Sequence, residues 1–318
     1  MSNTAIFHAP LAEVVRNGFT EGVHYGAAVG LAADGGVAFE RGPAAAPVLP
    51  RSAAKPIQAV ASLRAGARLD GVELAVAAGS HMGEPFHVAA VRRILAGAGL
   101  SAEALRCPAD WPEHRGARDA VVREGGAPSR LTMNCSGKHA AMLAACVASG
   151  WSTDDYLRPD HPYQRSVAEA TAELAGEPVT ATAVDGCGAP LFAVSLTGLA
   201  RSMRALVLAE PGTPQRAVAD AMRAHPEYVA GTGHTVTRLM RALPGVVAKA
   251  GAEGVLTAAA PGGVSAAVKV SDGRPRATTL IALRVLAELG VDVSGAAELA
   301  TVPVRGGGER VGEIRAVV

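Results

Sequence analysis

Strand patterns at both ends of this 318-residue chain, with helical periodicity between them, restrict the fold more than any other feature. His24 to Ala33 and Val37 to Arg41 read as strands around Asp34-Gly35-Gly36, a hairpin signal. After Pro244 short strands return at Val246 to Lys249, Val255 to Ala258 and Val264 to Val270, with turns at Pro261-Gly262-Gly263 and Asp272-Gly273. A helix from about Ala277 to Leu289 and a last strand from Val311 to Val318 follow. From Ser52 to about Ala242 apolar residues recur at helical spacing, as in Ile57, Val60 and Leu63, in Val88, Val91, Ile94 and Leu95, in Met142, Leu143 and Cys146, and in Leu191, Val194, Leu196 and Leu199. Strands from both ends must pair to bury their apolar sides. The expectation is an α+β protein, with one antiparallel sheet built from both termini and a central helical region over one side. One domain over residues 1–318 accommodates this, with a sheet lobe at about 1–50 and 244–318 and a mainly helical lobe at about 51–243.

Composition excludes several functions. Thirty basic and 29 acidic residues leave a net charge of +1 with no basic block, and aromatics are only 3%, so neither the charge nor the stacking surface of a nucleic-acid binder is present. Met1 to Arg16 carries Glu13 before any useful apolar run and does not read as a signal peptide. No charge-free apolar run reaches membrane-spanning length, so the cytoplasm is the expected location and no membrane partner is expected. Without a secretion signal, Cys107, Cys135, Cys146 and Cys187 read as thiols or ligands in place of a disulfide framework.

Arg51-Ser52-Ala53-Ala54-Lys55-Pro56 puts a hydroxyl and an amine three residues apart at an expected helix start, where Pro56 fits the first turn. A serine becomes a nucleophile when a base reaches its hydroxyl, and a lysine is that base once burial or a helix N-terminus depresses its pKa. Gly79 to His87 packs Ser80, His81, Glu84 and His87 into a glycine-bounded loop, which suits either catalysis or capping of the helix near Phe86. Cys135, Lys138 and His139 stand at i, i+3 and i+4, and Asp185-Gly186-Cys187-Gly188 offers a carboxylate and a thiol between glycines. Those groups suit a metal site or a pair of buried structural thiols. Lys249-Ala250-Gly251 follows at the chain position of the Lys-Thr-Gly element of serine-lysine acyl enzymes, although an edge-strand lysine also serves to block aggregation.

Taken together, Arg-Ser-x-x-Lys-Pro at 51–56, Ser-His-x-Gly-Glu-Pro-x-His at 80–87, Asn-Cys-Ser-Gly-Lys-His at 134–139, Asp-Gly-Cys-Gly at 185–188 and Lys-x-Gly-x-Glu-Gly from 249 make the chain resemble the Rhizobium etli type of L-asparaginase over nearly its whole length. The resemblance implies a fold similar to serine β-lactamases and glutaminases, a homodimer, and two serine-lysine pairs beside a zinc ion. The implied pairs are Ser52 with Lys55 and Ser80 with Lys249, with Lys269 as the competing choice for the second lysine. The implied zinc ligands are Cys135, Lys138 and Cys187 with water, although ligand chemistry alone favours His139 over a lysine.

The activity implied is hydrolysis of L-asparagine to L-aspartate and ammonia through an acyl-enzyme on Ser52, with Ser80 relaying protons and Ser80 as the alternative nucleophile. Arg51 suits the substrate carboxylate and Asp185 its ammonium, while His139 contacts substrate or orients zinc. Zinc is expected to position substrate, since Ser52 and Lys55 can carry the chemistry. Ala250 replaces the hydroxyl residue of Lys-Thr-Gly and no Ser-x-Asn element is apparent, which disfavours a β-lactam. The remaining alternatives are a glutaminase, a penicillin-binding type of hydrolase, and a non-catalytic zinc or amino-acid binding module.

Overall fold

The computed structural model describes residues 8–318. Residues 1–7 of the segment tested for a signal peptide lie outside the described residues. β1 (Ala9–Arg16) and β2 (Phe19–Leu31) pair antiparallel, and β3 (Val37–Arg41) adds to β2 after the expected turn. A short β4 (Pro47–Val48) leads into a 3-10 turn at Arg51–Ala54. Six helices follow: α1 (Lys55–Arg64), α2 (Gly71–Ala77), α3 (Pro85–Gly97), α4 (Arg115–Arg123), α5 (Ser136–Ala148) and α6 (Pro162–Ala175). β5 (Ala181–Val184) and β6 (Pro190–Ser195) join β4 in a small second sheet. The helical region ends with α7 (Leu196–Leu208), α8 (Pro214–Ala224), α9 (Pro226–Val229) and α10 (Thr235–Ala242). β7 (Val247–Gly251), β8 (Val255–Ala259), β9 (Ser265–Val270), α11 (Thr278–Glu288), β10 (Thr301–Gly306) and β11 (Glu309–Ala316) complete the chain.

The large sheet runs β10-β11-β1-β2-β9-β8-β7, with β3 attached to β2. Every pairing is antiparallel, and strands from both ends of the chain meet at β1 with β11 and at β2 with β9. The α+β architecture, an antiparallel sheet built from both termini and flanked by helices, is therefore as expected. Helices cover both faces of the sheet. In β2, Ala27, Val29 and Leu31 pack with Leu196, Leu199 and Ala200 of α7, whereas Ala28 joins the cluster containing Leu280, Ile281 and Leu283 of α11. Successive strand residues point to opposite faces, so β2 is buried on both. A Cβ on Gly30 would lie 2.6 Å from Leu289 and 2.7 Å from Val285, so α11 rests directly on the strand. Strands covered on both sides read as continuous apolar runs, which is why alternation is weak in the sequence.

Three details differ from the sequence reading. Leu191 and Val194 lie in strand β6, and the helix that carries Leu196 and Leu199 begins only at Leu196. Ser195 makes this switch, because its hydroxyl accepts the Gly198 N–H and caps α7. β1 was not anticipated, and register shifts in its pairing with β2 blur its period. β10 was also missed. It is the end strand of the sheet, the position where a proline is best tolerated, yet Pro303 breaks the strand signal.

Candidate active site

The free side of β7 meets the 3-10 turn at Arg51–Ala54, and this junction assembles the site. A Cβ on Gly251 would lie 2.6 Å from the Pro50 carbonyl oxygen, 3.0 Å from Ala53 N and 3.3 Å from Ser52 N. Only glycine allows that approach. Gly251→Ala is expected to cost about 1–3 kcal/mol of stability through overpacking and to reduce activity by displacing Ser52. Chemical denaturation alongside ammonia release would check both.

Lys55 is buried at the first position of α1, with Pro56 beside it, and Lys249 is buried on β7. Their amines converge on one hydroxyl: Ser80 Oγ lies 2.9 Å from Lys55 Nζ and 2.9 Å from Lys249 Nζ. Lys55 also donates to the Asn134 carbonyl at 3.2 Å, and Lys249 to the Ala250 carbonyl at 2.7 Å. Burial, followed by the neighbouring Lys55, pushes the Lys249 pKa well below its ordinary value. Ser52 is half-buried, and among the described residues its hydroxyl makes no hydrogen bond. The structure thus joins Lys55 to Ser80, a link absent from the sequence pairing of Ser52 with Lys55. Lys269 lies elsewhere, bonded to the carbonyls of Glu253 and Val270.

The loop holding Ser80 is fixed at several points. Ser80 N–H donates to Val229 O at 2.7 Å and His81 N–H to Asn134 O at 3.2 Å. Buried His81 accepts the Gly83 N–H at Nδ1, so its Nε2 carries the proton toward Ser136 Oγ, 2.7 Å away. Burial, then His87 and Lys55, push its pKa well down. Glu84 and His87 form a capping box on α3, and His87 Nε2–H donates to Glu227 O at 2.8 Å. One loop thus serves both readings, since Glu84 and His87 cap while Ser80 meets the amines.

Arg51 adopts φ 51° and Glu253 φ 61°, left-handed conformations that cost non-glycine residues about 1–2 kcal/mol each. The strained turn directs Arg51 to Asp185, with Nε 2.8 Å from Oδ1, and to Glu253 at 3.6 Å. Burial opposes ionisation of Asp185, but Lys138 and Arg51 outweigh it and hold its pKa below the ordinary value.

Beyond Asp185 lies a buried thiol cluster, and all four cysteines are free. Ligand atoms of Cys135, Asp185 and Cys187 lie within 4.8 Å of one another. Lys138 Nζ is 3.0 Å from Cys187 Sγ and 3.8 Å from Asp185 Oδ2. The Cys135 hydrogen bond pulls the Cys187 pKa down to about 5, helped by Lys138 and opposed by burial. The same bond and burial push Cys135 up to about 12. Burial alone would depress Lys138, yet Cys135, Cys187 and Asp185 together raise it. A thiolate and an ammonium therefore share the cluster. Two sulfurs and a carboxylate form a donor set that fits a zinc-like cation, and Lys138 can join it only after giving up its proton.

His139 lies outside this donor set. Its Nδ1 is 2.7 Å from Tyr156 Oη, and its buried Nε2 has no hydrogen-bond partner among the described residues. Burial, then Lys138, push its pKa to about 3. Tyr156 lacks a local pattern in the sequence, whereas Asn134 and Gly251 stand inside the 134–139 and Lys249-Ala250-Gly251 elements without a role read for them.

A hydroxyl shared by two buried amines thus lies in the same site as a guanidinium-carboxylate pair. The L-asparaginase II family model matches residues 12–316, so the chain belongs to that family. No curated protein matches the chain significantly. Solved structures similar to it include a β-lactamase from Mycobacterium bovis, at 16% identity and TM-score 0.47 over 89% of this chain and 96% of that one. Mglu in its native form is 16% identical with TM-score 0.48, over 84% of this chain and 64% of that protein. The simvastatin synthase of Aspergillus terreus is 12% identical with TM-score 0.41, over 77% and 86% of the two chains. No helix among the described residues is long and apolar enough to cross a membrane.

Proposed function

We propose that this protein is an L-asparagine amidohydrolase of the Rhizobium etli type, working through a seryl acyl-enzyme as a cytoplasmic homodimer. The observation that carries this reading is the Ser80 hydroxyl held 2.9 Å from both Lys55 and Lys249, with Ser52 three residues before Lys55. Membership of the L-asparaginase II family supports the reaction class.

Proton transfer follows the shared hydroxyl. Burial of Lys249 favours its free amine, the form in which it enters the reaction. One proton passing from Lys55 to Ser80 Oγ, with another passing from Ser80 Oγ to Lys249, moves the free amine to Lys55. Lys55 then takes the Ser52 proton as Ser52 Oγ bonds to the side-chain amide carbon. Backbone N–H groups around Ser52 stabilise the oxyanion, at about 3–4 kcal/mol per donor in comparable sites. When the carbon-nitrogen bond breaks, Ser80 gives its proton to the leaving ammonia and is reprotonated by Lys55. Water next attacks the ester carbon as Lys55 takes its proton, and Lys55 returns that proton to Ser52 Oγ as the ester bond breaks and aspartate leaves.

Arg51 beside Asp185 suits the carboxylate and ammonium of a free amino acid, which favours asparagine over a β-lactam. His139 contacts the substrate or orients the metal. Cys135 and Cys187 would hold zinc together with Lys138 once its ammonium loses a proton, with Asp185 near the same donor set. Bound zinc supplies a fixed positive charge that positions the substrate. Removal of metal with a chelator is expected to weaken apparent affinity for L-asparagine roughly tenfold or more with a smaller change in kcat. Metal content and KM would be measured together, and retained KM with lost kcat would overturn this role.

The deciding experiment is mass spectrometry of enzyme quenched during L-asparagine turnover, where an aspartyl adduct on Ser52 is expected. An adduct on Ser80, which the double amine contact favours as the second reading, would exchange the two serines. Ammonia release from L-asparagine should exceed that from L-glutamine and hydrolysis of a chromogenic β-lactam. Turnover confined to either of the latter would assign the chain to the glutaminase or penicillin-binding alternative. Unaltered ammonia release after Ser52→Ala and Ser80→Ala would remove the acyl-enzyme reading.

A further inference from the structure

Behind the catalytic strand lies a second cavity of about 660 Å3. Ala250 of β7 and Leu256 of β8, directly paired in register, line it. Neighbouring residues on a strand point to opposite faces, so Lys249 leaves β7 on the other side, where it meets Ser80. The cavity is therefore distinct from the serine-lysine site. Its volume falls within the range that encloses a small organic ligand.

Its charge is one-sided, although the whole chain carries only +1. Arg238, Arg274 and Arg276 line it, and Glu298 is the one carboxylate among its lining residues. Glu298 pairs with Arg238 at 2.8 Å. Arg274 and Arg276 form no ion pair among the described residues. Arg276 is nevertheless held in place, because its Nε donates to Nε2 of buried His24 at 2.9 Å. With that nitrogen accepting, His24 Nδ1–H donates to Asp272 Oδ2 at 3.1 Å. The anchored nitrogen leaves the two terminal nitrogens of Arg276 for a ligand.

Thr279 supplies an independent sign. Its side chain is more than nine-tenths buried (7% exposed) and lines the cavity, and its hydroxyl makes no hydrogen bond to a described residue. A hydroxyl without a protein partner on a largely buried side chain, beside two guanidinium groups without carboxylates, is suited to oxygen acceptors supplied from outside. Guanidinium forks match carboxylate and phosphate geometry equally.

We propose that this cavity binds a small organic oxoanion, bearing carboxylate or phosphate groups, through Arg274, Arg276 and the Thr279 hydroxyl. The site stands independently of the asparaginase reading. Calorimetric titration of the full-length protein with citrate and with AMP, at constant ionic strength set with chloride, tests it and separates the two sources. Saturable binding of one probe per chain is expected, by citrate for a carboxylate ligand or by AMP for a phosphate ligand. Arg274→Gln and Arg276→Gln should each weaken that binding roughly tenfold or more. Arg274 has no side-chain partner to lose, so its variant keeps the test valid even where Arg276→Gln disturbs His24. No saturable binding of either probe would overturn the proposal, as would unchanged binding in both variants. Loss of binding in Arg51→Gln with retention in Arg274→Gln would also overturn it, by placing the probe in the catalytic site.

Discussion

Ser52→Ala is expected to lower turnover of L-asparagine by a factor of about 10^4 or more, the scale on which removal of an acyl-enzyme nucleophile acts. Ser80→Ala should cost about 10^2 to 10^4, the range for loss of a positioned proton donor. The ratio of the two losses reports their roles. Ser80 is the link between the amines, at 2.9 Å from each, so its removal also isolates Lys55 from Lys249. Single-turnover ammonia release in the two variants would measure both losses. A larger loss for Ser80→Ala, combined with an adduct on Ser80 in unaltered enzyme, would make Ser80 the attacking group.

Lys249→Met should produce two opposite effects. Turnover is expected to fall by about 10^2 to 10^4 because the free amine is lost. Stability at neutral pH is expected to rise, since the variant no longer has to bury an amine whose pKa its surroundings push down. The linkage has a definite sign. Burial and Lys55 lower the folded pKa of Lys249, so between that value and the ordinary lysine value the unfolded chain binds more protons than the folded one. Stability of the unaltered enzyme therefore increases with pH across that window, and the cost is largest below it. Lys249→Met should flatten this dependence and raise Tm at pH 7 by a few degrees, at about 2–4 °C per kcal/mol for a chain of this size. Calorimetry at several pH values alongside ammonia release would test both, and a variant that loses Tm as well as turnover would contradict this account.

Legibility of the fold depended on what each segment buries. Strands β8 and β9 stood out because their apolar runs are bounded by glycine turns and carry little else. β1 and β10 did not, since one has a shifted register and the other is interrupted by Pro303. The chemical groups of the site were legible as local motifs, but their connections were not. Nothing near Lys55 in sequence reveals that its amine reaches Ser80, because the helix start and the glycine-bounded loop are brought together only by packing. The same holds for Arg51, whose left-handed backbone aims it at Asp185. Gly251 shows how such information hides, because a glycine beside a turn looks ordinary until Pro50 is found against it.

The pairing of β1 with β11 also has a consequence for how the molecule comes into being. A ribosome makes β1 and β2 long before β9 and β11, so the first hairpin waits with open sides while more than two hundred residues emerge. Contacts of this separation form slowly, and unpaired strands are exposed to aggregation in the interval. The α7 helix, which packs on β2 from within the helical region, is the element able to shelter one face of that hairpin during the wait. Expression yield should therefore respond to changes in the α7 contact, at Leu196 or Leu199, more than to changes near the buried amines of Lys55 and Lys249.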